Sequence, residues 1–151
     1  MKRFIFVLSL IGLLLILTLE DKKREINFPH LPVLVGGKKL LLEVARTPAE
    51  MKIGLSGRDE IKSDGMLFIF EKSDYLSFWM KDTRIPLLIL FFDENKLLVD
   101  HQEMMVEDER LADGELRDYT SAKKAKYALE VPLTSHLRDK VKSGEILSLK
   151  F

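Results

Sequence analysis

Residues 85–92 read IPLLILFF and form the most apolar of the strand-length runs in the chain. This run predicts a strand with two buried faces, because a half-exposed strand alternates apolar and polar side chains. Pro86 is expected at the start of the strand, where a missing backbone N–H is tolerated. The polar sequence DENK at residues 93–96 then predicts a turn and a hairpin with residues 97–99.

Local signals on both sides of this run predict further elements. A Gly-Gly pair at residues 36–37 predicts a hairpin over residues 33–44, because glycine supplies the positive φ values of tight turns. The sequence TPAE at residues 47–50 has the capping residues of a helix start, and the helix is expected to end near Leu55. A second short helix is expected over residues 134–142. Further strands are expected at residues 65–70, 76–80, 104–106, 126–131 and 145–151.

Together these elements predict a single α+β domain over residues 33–151. Its strand-rich sheet is expected to be mixed or antiparallel, and either open or closed as a small barrel, with two short helices. Residues 102–118 are polar and irregular, and a loop of this length is often functional.

The first residues of the chain predict a membrane segment outside this domain. Residues 4–19 carry no charge, and Lys2 and Arg3 precede them. As a helix they would span ~24 Å, slightly less than a ~30 Å hydrocarbon core. No small-residue cleavage site follows, which favours a signal anchor over a cleaved signal peptide for residues 1–20. Residues 21–32 are then a linker, and the domain is expected outside the cytoplasm.

Composition and charge exclude several classes of function. The chain has 24 basic and 24 acidic residues and no cysteine, so disulfides, thiolate metal sites and cysteine nucleophiles are excluded. The neutral charge gives no indication of a nucleic-acid partner. The three histidines, His30, His101 and His136, show no metal-ligand spacing, so no metal or cofactor is predicted. Phosphate-binding glycine loops and a nucleophile elbow are also missing from the sequence.

The densest unusual segment is FWMKDT at residues 78–83, which contains the only tryptophan. Strand alternation would place Phe78 and Met80 on one face and Trp79 on the other. An aromatic side chain beside Lys81 and Asp82 would suit a small polar ligand or a sugar. The same residues also fit a core strand that ends in a turn.

Short motifs also occur in order through most of the domain. They are EVA at 43–45, TPAE at 47–50, Gly54-Leu55, Arg58, GMLFIF at 65–70, FWMKDTRIPL at 78–87, YALE at 127–130 and Gly144-Glu145. In this order they resemble the uncharacterised family called domain of unknown function 192, or uncharacterised protein family 0127, over roughly residues 40–149. The resemblance implies a compact, strand-rich α+β fold, often behind an export signal or membrane anchor, and no established activity.

The chain departs from the pattern of this family at several positions. Ser56 stands where members usually have Met, Asp82 replaces an Asn, and Leu133 lies near an expected Gly. Leu88 replaces an Asp, which the resemblance makes the obvious acidic candidate for a shared polar site.

The leading hypothesis is a membrane-tethered, extracytoplasmic binding or accessory domain without catalysis. Its membrane contact would be residues 4–19, and its partner a small polar ligand or an envelope component. The candidate ligand contacts are Arg58, Trp79, Lys81, Asp82 and Thr83. Two alternatives are an envelope-directed hydrolase that uses Asp82 or another carboxylate as acid or base, and a structural partner of a membrane protein.

Overall fold

The computed structural model describes residues 27–140, 142 and 144–149. The predicted anchor at residues 1–20 and the linker as far as residue 26 lie outside the described residues. The first strand begins at His30, so the last predicted linker residues belong to the sheet. Within the described ranges, no helix is both long and apolar enough to cross a membrane.

The described chain is an α+β domain built on a mixed sheet. The elements are β1 (His30–Val35), β2 (Lys38–Ala45), α1 (Pro48–Ile53), β3 (Gly65–Asp74), β4 (Ser77–Phe78), β5 (Leu87–Phe92), β6 (Leu98–Met104), a 3-10 turn (Asp113–Glu115), β7 (Tyr119–Thr120), β8 (Ala125–Pro132) and β9 (Ser148–Leu149). Seven strands form one sheet in the order β6-β5-β8-β3-β2-β1-β9, and β4 pairs with β7 separately. The β2–β3 pair is parallel. The other pairs of the large sheet are antiparallel.

Of the two arrangements that the sequence left open, the sheet has the open one and not the closed barrel, because β6 and β9 remain the edges of the large sheet. One isolated bridge, Leu97 to Ile146, lies between these edges. Leu98 N donates to Glu145 O at 2.8 Å beside it. The backbone contacts between the two edges join residues 96–98 to residues 144–147, which precede β9, so β9 itself pairs only with β1.

Two other expected elements differ in the structure. Residues 133–140 form turns instead of the predicted second helix, and their backbone bonds, such as Arg138 N to Ser135 O, span three residues. Residues 98–104 form one continuous strand, although the sequence predicted separate strands at 97–99 and 104–106. β6 pairs with β5 along the full length of β5, and this pairing continues β6 through the polar residues 100–103.

The central strands separate two apolar cores. All six residues of β5 are buried, which confirms the prediction of a strand with two covered faces. One face, called here the loop-side core, includes Met66, Phe68, Ile89, Phe91 and Ala128, and it packs against Leu55, Met80 and Tyr119. The opposite face, called here the far-side core, includes Leu67, Leu88, Leu90, Leu129 and Val131, and it packs against Leu137 and Leu147.

The helix α1 begins with the predicted capping box. Thr47 Oγ1 accepts from Glu50 N at 3.3 Å, and Glu50 Oε2 accepts from Thr47 N at 2.9 Å. The helix is short, and Met51 packs its inner side on the loop-side core. It therefore fixes the start of the loop that leads to β3.

Gly65, at the start of β3, allows a very close approach of β3 to β8. A Cβ atom at this position would lie 2.2 Å from Glu130 O and 2.9 Å from Val131 Cγ1, and the φ angle of 153° disfavours any side chain. We expect Gly65→Ala to lower the free energy of unfolding by about 3 kcal/mol, through overpacking and backbone strain together. Urea unfolding measures this change.

Gly114→Ala is the matched control, because its added Cβ would meet nothing within 4 Å. Its unfolding midpoint should stay close to that of the unmodified protein. Equal stabilities of the two variants would contradict the close β3–β8 contact.

Candidate functional site

Two loops meet above the starts of β3 and β5 on the loop-side core. These are the 54–64 loop and the 79–86 loop. Gly57 N donates to Asp82 O at 2.7 Å, and Arg84 Nη1 donates to Asp59 Oδ1 at 3.0 Å. The backbone of one loop is therefore attached directly to the other.

A tight turn fixes the tip of the 79–86 loop. Thr83 N donates to Met80 O at 3.0 Å, and Thr83 Oγ1 donates to Lys81 O at 3.2 Å. Asp82 adopts a left-handed φ of 51°, which Asn and Asp tolerate better than most residues. The buried Met80 anchors the turn in the loop-side core. Lys81 and Asp82 consequently project from a rigid support.

The turn forms one wall of an open cleft of about 210 Å³. The other wall belongs to the 105–118 loop, and its lining residues are Glu107, Asp108, Glu109, Leu111, Asp113 and Leu116. Lys81 Nζ pairs with the Asp113 carboxylate across the cleft. The lining has five acidic side chains and one lysine, so the cleft has a negative surface.

Several of the cleft carboxylates are paired and exposed to solvent. Arg84 Nε donates to Glu109 Oε1 at 3.0 Å, and its bonds to Asp59 and Glu109 raise the pKa of Arg84. Hydrogen bonds from Arg110 lower the pKa of Asp108. Acid catalysis near neutral pH needs a carboxyl whose pKa is raised, and neither of these pairs provides that environment.

The described part of the chain contains no cluster of His, Asp and Glu that is suited to holding a metal ion. The predicted ligand contacts are also divided between two places. Lys81, Asp82 and Thr83 line the cleft, but Arg58 and Trp79 do not. Trp79 is 45% exposed, with Lys81 Nζ lying 5.6 Å from its ring centroid. Phe78 and Met80 face the loop-side core, as strand alternation predicts.

Arg58, which belongs to the 54–64 loop, instead forms an ion pair with Glu43 on β2. Its Nη1 and Nη2 atoms donate to the two carboxylate oxygens of Glu43, both at 2.8 Å. Its guanidinium also lies 5.3 Å from the ring centroid of Phe28. Glu43 is only 7% exposed, so this bidentate pair neutralises a buried charge and holds the loop on β2.

Comparison with known proteins places the whole domain in a family. The family model of domain of unknown function 192, described as an uncharacterized ACR, matches residues 32–149. The chain belongs to this family.

Two solved structures share the fold of this member of domain of unknown function 192. A protein from Sinorhizobium meliloti 1021, provisionally described as a transcription regulator, is 25% identical with a TM-score of 0.71, and the match covers 83% of this chain and 97% of that one. A protein of unknown function from Novosphingobium aromaticivorans DSM 12444 is 26% identical with a TM-score of 0.69, and the match covers 83% of this chain and 89% of that one. No curated protein matches this chain.

The structure shows where the departure at Leu88 lies. Leu88 is buried in the far-side core, and its cross-strand partners are Glu103 and Val131. The cleft lies on the other side of the sheet, where Met80 joins the loop-side core. The position at which the family resemblance implies an Asp is therefore not part of the cleft.

Glu130 is the unusual carboxyl that the sequence reasoning did not select. It is 5% exposed on β8, directly between Met66 on β3 and Ile89 on β5. Burial raises its pKa from the ordinary value of 4.5 to about 8. Two signals were available in the sequence, namely its place in the YALE motif and its position between apolar residues in a strand.

The raised pKa of Glu130 predicts a pH-dependent stability. The folded protein keeps the Glu130 proton between pH 4.5 and about 8, whereas the unfolded chain loses it near 4.5. The stability contributed by Glu130 therefore falls as pH rises through this window, by on the order of 4–5 kcal/mol in total. Glu130→Gln removes the titration, so its stability relative to the unmodified protein should increase from pH 5 to pH 9.

Urea unfolding at several pH values measures this difference. Glu94→Gln is the control, because Glu94 is exposed in the turn between β5 and β6. A difference between Glu130→Gln and the unmodified protein that does not change with pH would contradict the burial of an ionisable Glu130.

Proposed function

We propose that this protein is a membrane-tethered, extracytoplasmic domain that binds a small polar ligand in the cleft between the 79–86 and 105–118 loops. The observation that carries the proposal is the convergence of Lys81, Asp82 and Thr83 on one cleft with an acidic loop opposite. Met80 and the Met80–Thr83 turn hold these groups in place before any ligand arrives. Such preorganisation reduces the free-energy cost of ordering a binding site.

The charge of the cleft favours a ligand with hydroxyl or cationic groups. Five acidic side chains surround one lysine, which already pairs with Asp113. Phosphate-rich partners would be repelled, so nucleic acid is not proposed as a ligand, although the Sinorhizobium meliloti protein is described as a regulator of transcription. An envelope sugar or an amine-bearing envelope component has the required chemistry.

The hydrolase alternative finds less support in the geometry. It requires two carboxyls on one cleft, with at least one withdrawn from water. Glu130 is withdrawn from water but does not line the cleft, and Asp108 and Glu109 are in exposed ion pairs. The structural-partner alternative depends on exposed apolar side chains, of which Tyr75, Ile146, Met105 and Leu41 are the most exposed of those described.

A ligand screen on the full-length chain in neutral detergent tests the binding proposal. The probes are envelope sugars, lipid headgroups and short cell-wall peptides, read by thermal shift and then by calorimetry. A true ligand at about a hundred times its Kd should stabilise the protein by roughly 2.7 kcal/mol. We expect Asp82→Ala to weaken its binding at least tenfold.

Lys72→Ala is the matched control, because Lys72 is exposed on β3 and does not line the cleft. Its ligand affinity should equal that of the unmodified protein. Failure of all probes to bind, or equal binding by Asp82→Ala, would overturn the cleft proposal.

Cell fractionation tests the membrane tether separately. The uncharged residues 4–19 and the absence of a cleavage site lead us to expect an intact chain in the membrane pellet, resistant to alkaline carbonate. Deletion of residues 1–20 should move the chain to the soluble fraction. A shortened soluble product from the full-length gene would contradict an uncleaved anchor.

A further inference from the structure

We propose that the end of the domain opposite the cleft rests on the anionic surface of the lipid bilayer in which the chain is anchored. The contact surface, called here the lysine tip, consists of the turns at residues 71–76 and 121–126. The inference rests on the membrane tether of the proposed function and adds an orientation to it, in which the cleft is directed away from the lipid.

Backbone contacts join the two turns of the lysine tip into one unit. Ser121 N donates to Leu76 O at 2.9 Å, and Leu76 N donates to Ser121 Oγ at 3.0 Å. Asp74 pairs with Ala125 where β3 ends and β8 begins. Leu76, Ser121 and Ala125 are buried, so they hold the exposed residues between them in place.

The exposed side chains of the lysine tip suit the surface of an anionic membrane. Residues 121–126 read SAKKAK and contain three lysines and no acidic residue. The other turn adds Lys72, against Glu71 and Asp74. Tyr75 is 59% exposed, more than any other large apolar side chain among the described residues. Lysines attract anionic headgroups, and a tyrosine ring suits the interface because it has an apolar body and a polar end.

The chain enters the domain at the same end of the sheet as the lysine tip. Pro29 O accepts from Val44 N at 2.8 Å, close to the end of β2, and β1 then runs antiparallel to β2 and away from this end. β3 runs parallel to β2 and ends at Asp74 in the lysine tip. Asn27, the first described residue, therefore lies toward the lysine tip and not toward the cleft.

The cleft lies at the other end of the sheet. The 79–86 loop leads into Leu87, which pairs with Pro132 at the end of β8 and with Met104 at the end of β6. The 105–118 loop follows Met104 directly. β8 thus begins at the lysine tip and ends beside the cleft, and its eight residues span roughly 24 Å.

The charges at the two ends favour the same orientation. The turns at the tip end, which are the lysine tip and residues 93–96, carry five basic and four acidic residues, a net charge of +1. The 105–118 loop at the cleft end carries two basic and six acidic residues, a net charge of −4. An anionic lipid surface therefore repels the cleft end and not the lysine tip.

The length of chain before the domain keeps the tip end close to the membrane. Seven residues, 20–26, separate the uncharged segment that ends at Leu19 from Asn27. Even a fully extended chain of seven residues reaches at most roughly 25 Å. So short a tether gives the lysine tip a high effective concentration at the headgroups, and a contact made by only a few lysines then suffices.

The test uses the full-length chain, reconstituted in vesicles of phosphatidylcholine alone or of equal parts phosphatidylcholine and phosphatidylglycerol. The chain has no cysteine, so Ala122→Cys attaches one fluorophore at an exposed position of the lysine tip. On the mixed vesicles, lipid with a nitroxide headgroup should quench this fluorophore. The quenching should be lost on phosphatidylcholine alone, and also in roughly 1 M salt, where the screening length is about 3 Å.

Three variants serve as comparisons. The same fluorophore on Gly114→Cys, where an added Cβ meets nothing within 4 Å, should stay unquenched at the cleft end. Replacing both Lys123 and Lys124 with Gln should lower the ratio of lipid-contacting to free domains on the order of thirtyfold. Replacing both Lys38 and Lys39 with Gln removes the same charge at the start of β2, far from the lysine tip, and should leave the ratio unchanged.

Flotation of the vesicles separates this inference from the tether. If the chain floats with the mixed vesicles but the Ala122→Cys label is not quenched, or both labels are quenched equally, the contact of the lysine tip is overturned and the tether stands. An equal loss of quenching in the two double-lysine variants also overturns the contact, because it shows attraction by overall charge. A chain that does not float overturns the tether, and this inference with it.

Discussion

The packing of β8 between β3 and β5 is the constraint on which the rest of the structure depends. These three strands are adjacent at the centre of the sheet, and apolar side chains cover both of their faces. Ala128 leaves space on the loop side for the rings of Phe68 and Phe91 on the neighbouring strands. Gly65 permits the close approach at the end of the ladder. A rigid centre of this kind can hold loops that have little regular structure.

The candidate chemistry lies where those loops attach. The 54–64 and 79–86 loops join the first residues of β3 and β5, and they are connected by the bond from Gly57 N to Asp82 O. Arg84 extends the connection to the 105–118 loop through Glu109. The cleft is thus supported by ion pairs at the surface and by Met80 in the core. Surface pairs are individually weak, so the buried anchor contributes more to the position of the turn.

Local signals predicted much of this domain. The apolar run of β5, the Gly-Gly hairpin turn and the Thr47 capping box each act over a few residues, and all three occur in the structure. Lys81, Asp82 and Thr83 were found as site candidates because they are neighbours in the sequence. The open state of the sheet was not predictable, because it depends on how residues 144–147 meet the distant start of β6. In place of the expected helix at residues 134–142, the described residues 134–140 form turns that bury Leu137 in the far-side core, a tertiary contact that local propensity does not report.

The parts of the site that escaped prediction depend on strand register. Arg58 was selected as a ligand contact, but its partner Glu43 becomes visible only when β2 and the 54–64 loop are placed together. The position of Glu130 between Met66 and Ile89 likewise follows from the order β5-β8-β3, which pairs strands that are distant in sequence. A single residue of slip in either ladder would turn Glu130 to the far-side core.

Amide hydrogen exchange of the full-length chain tests most directly whether the three central strands form the rigid unit that supports the loops. Amides of β8 and β5 should exchange only through global unfolding, so that their opening free energy equals the unfolding free energy from denaturant. Amides of the 105–118 loop should exchange at least a hundredfold faster, because its regular structure is limited to one short 3-10 turn. Exchange of β8 by local opening, well below the global unfolding free energy, would contradict this account.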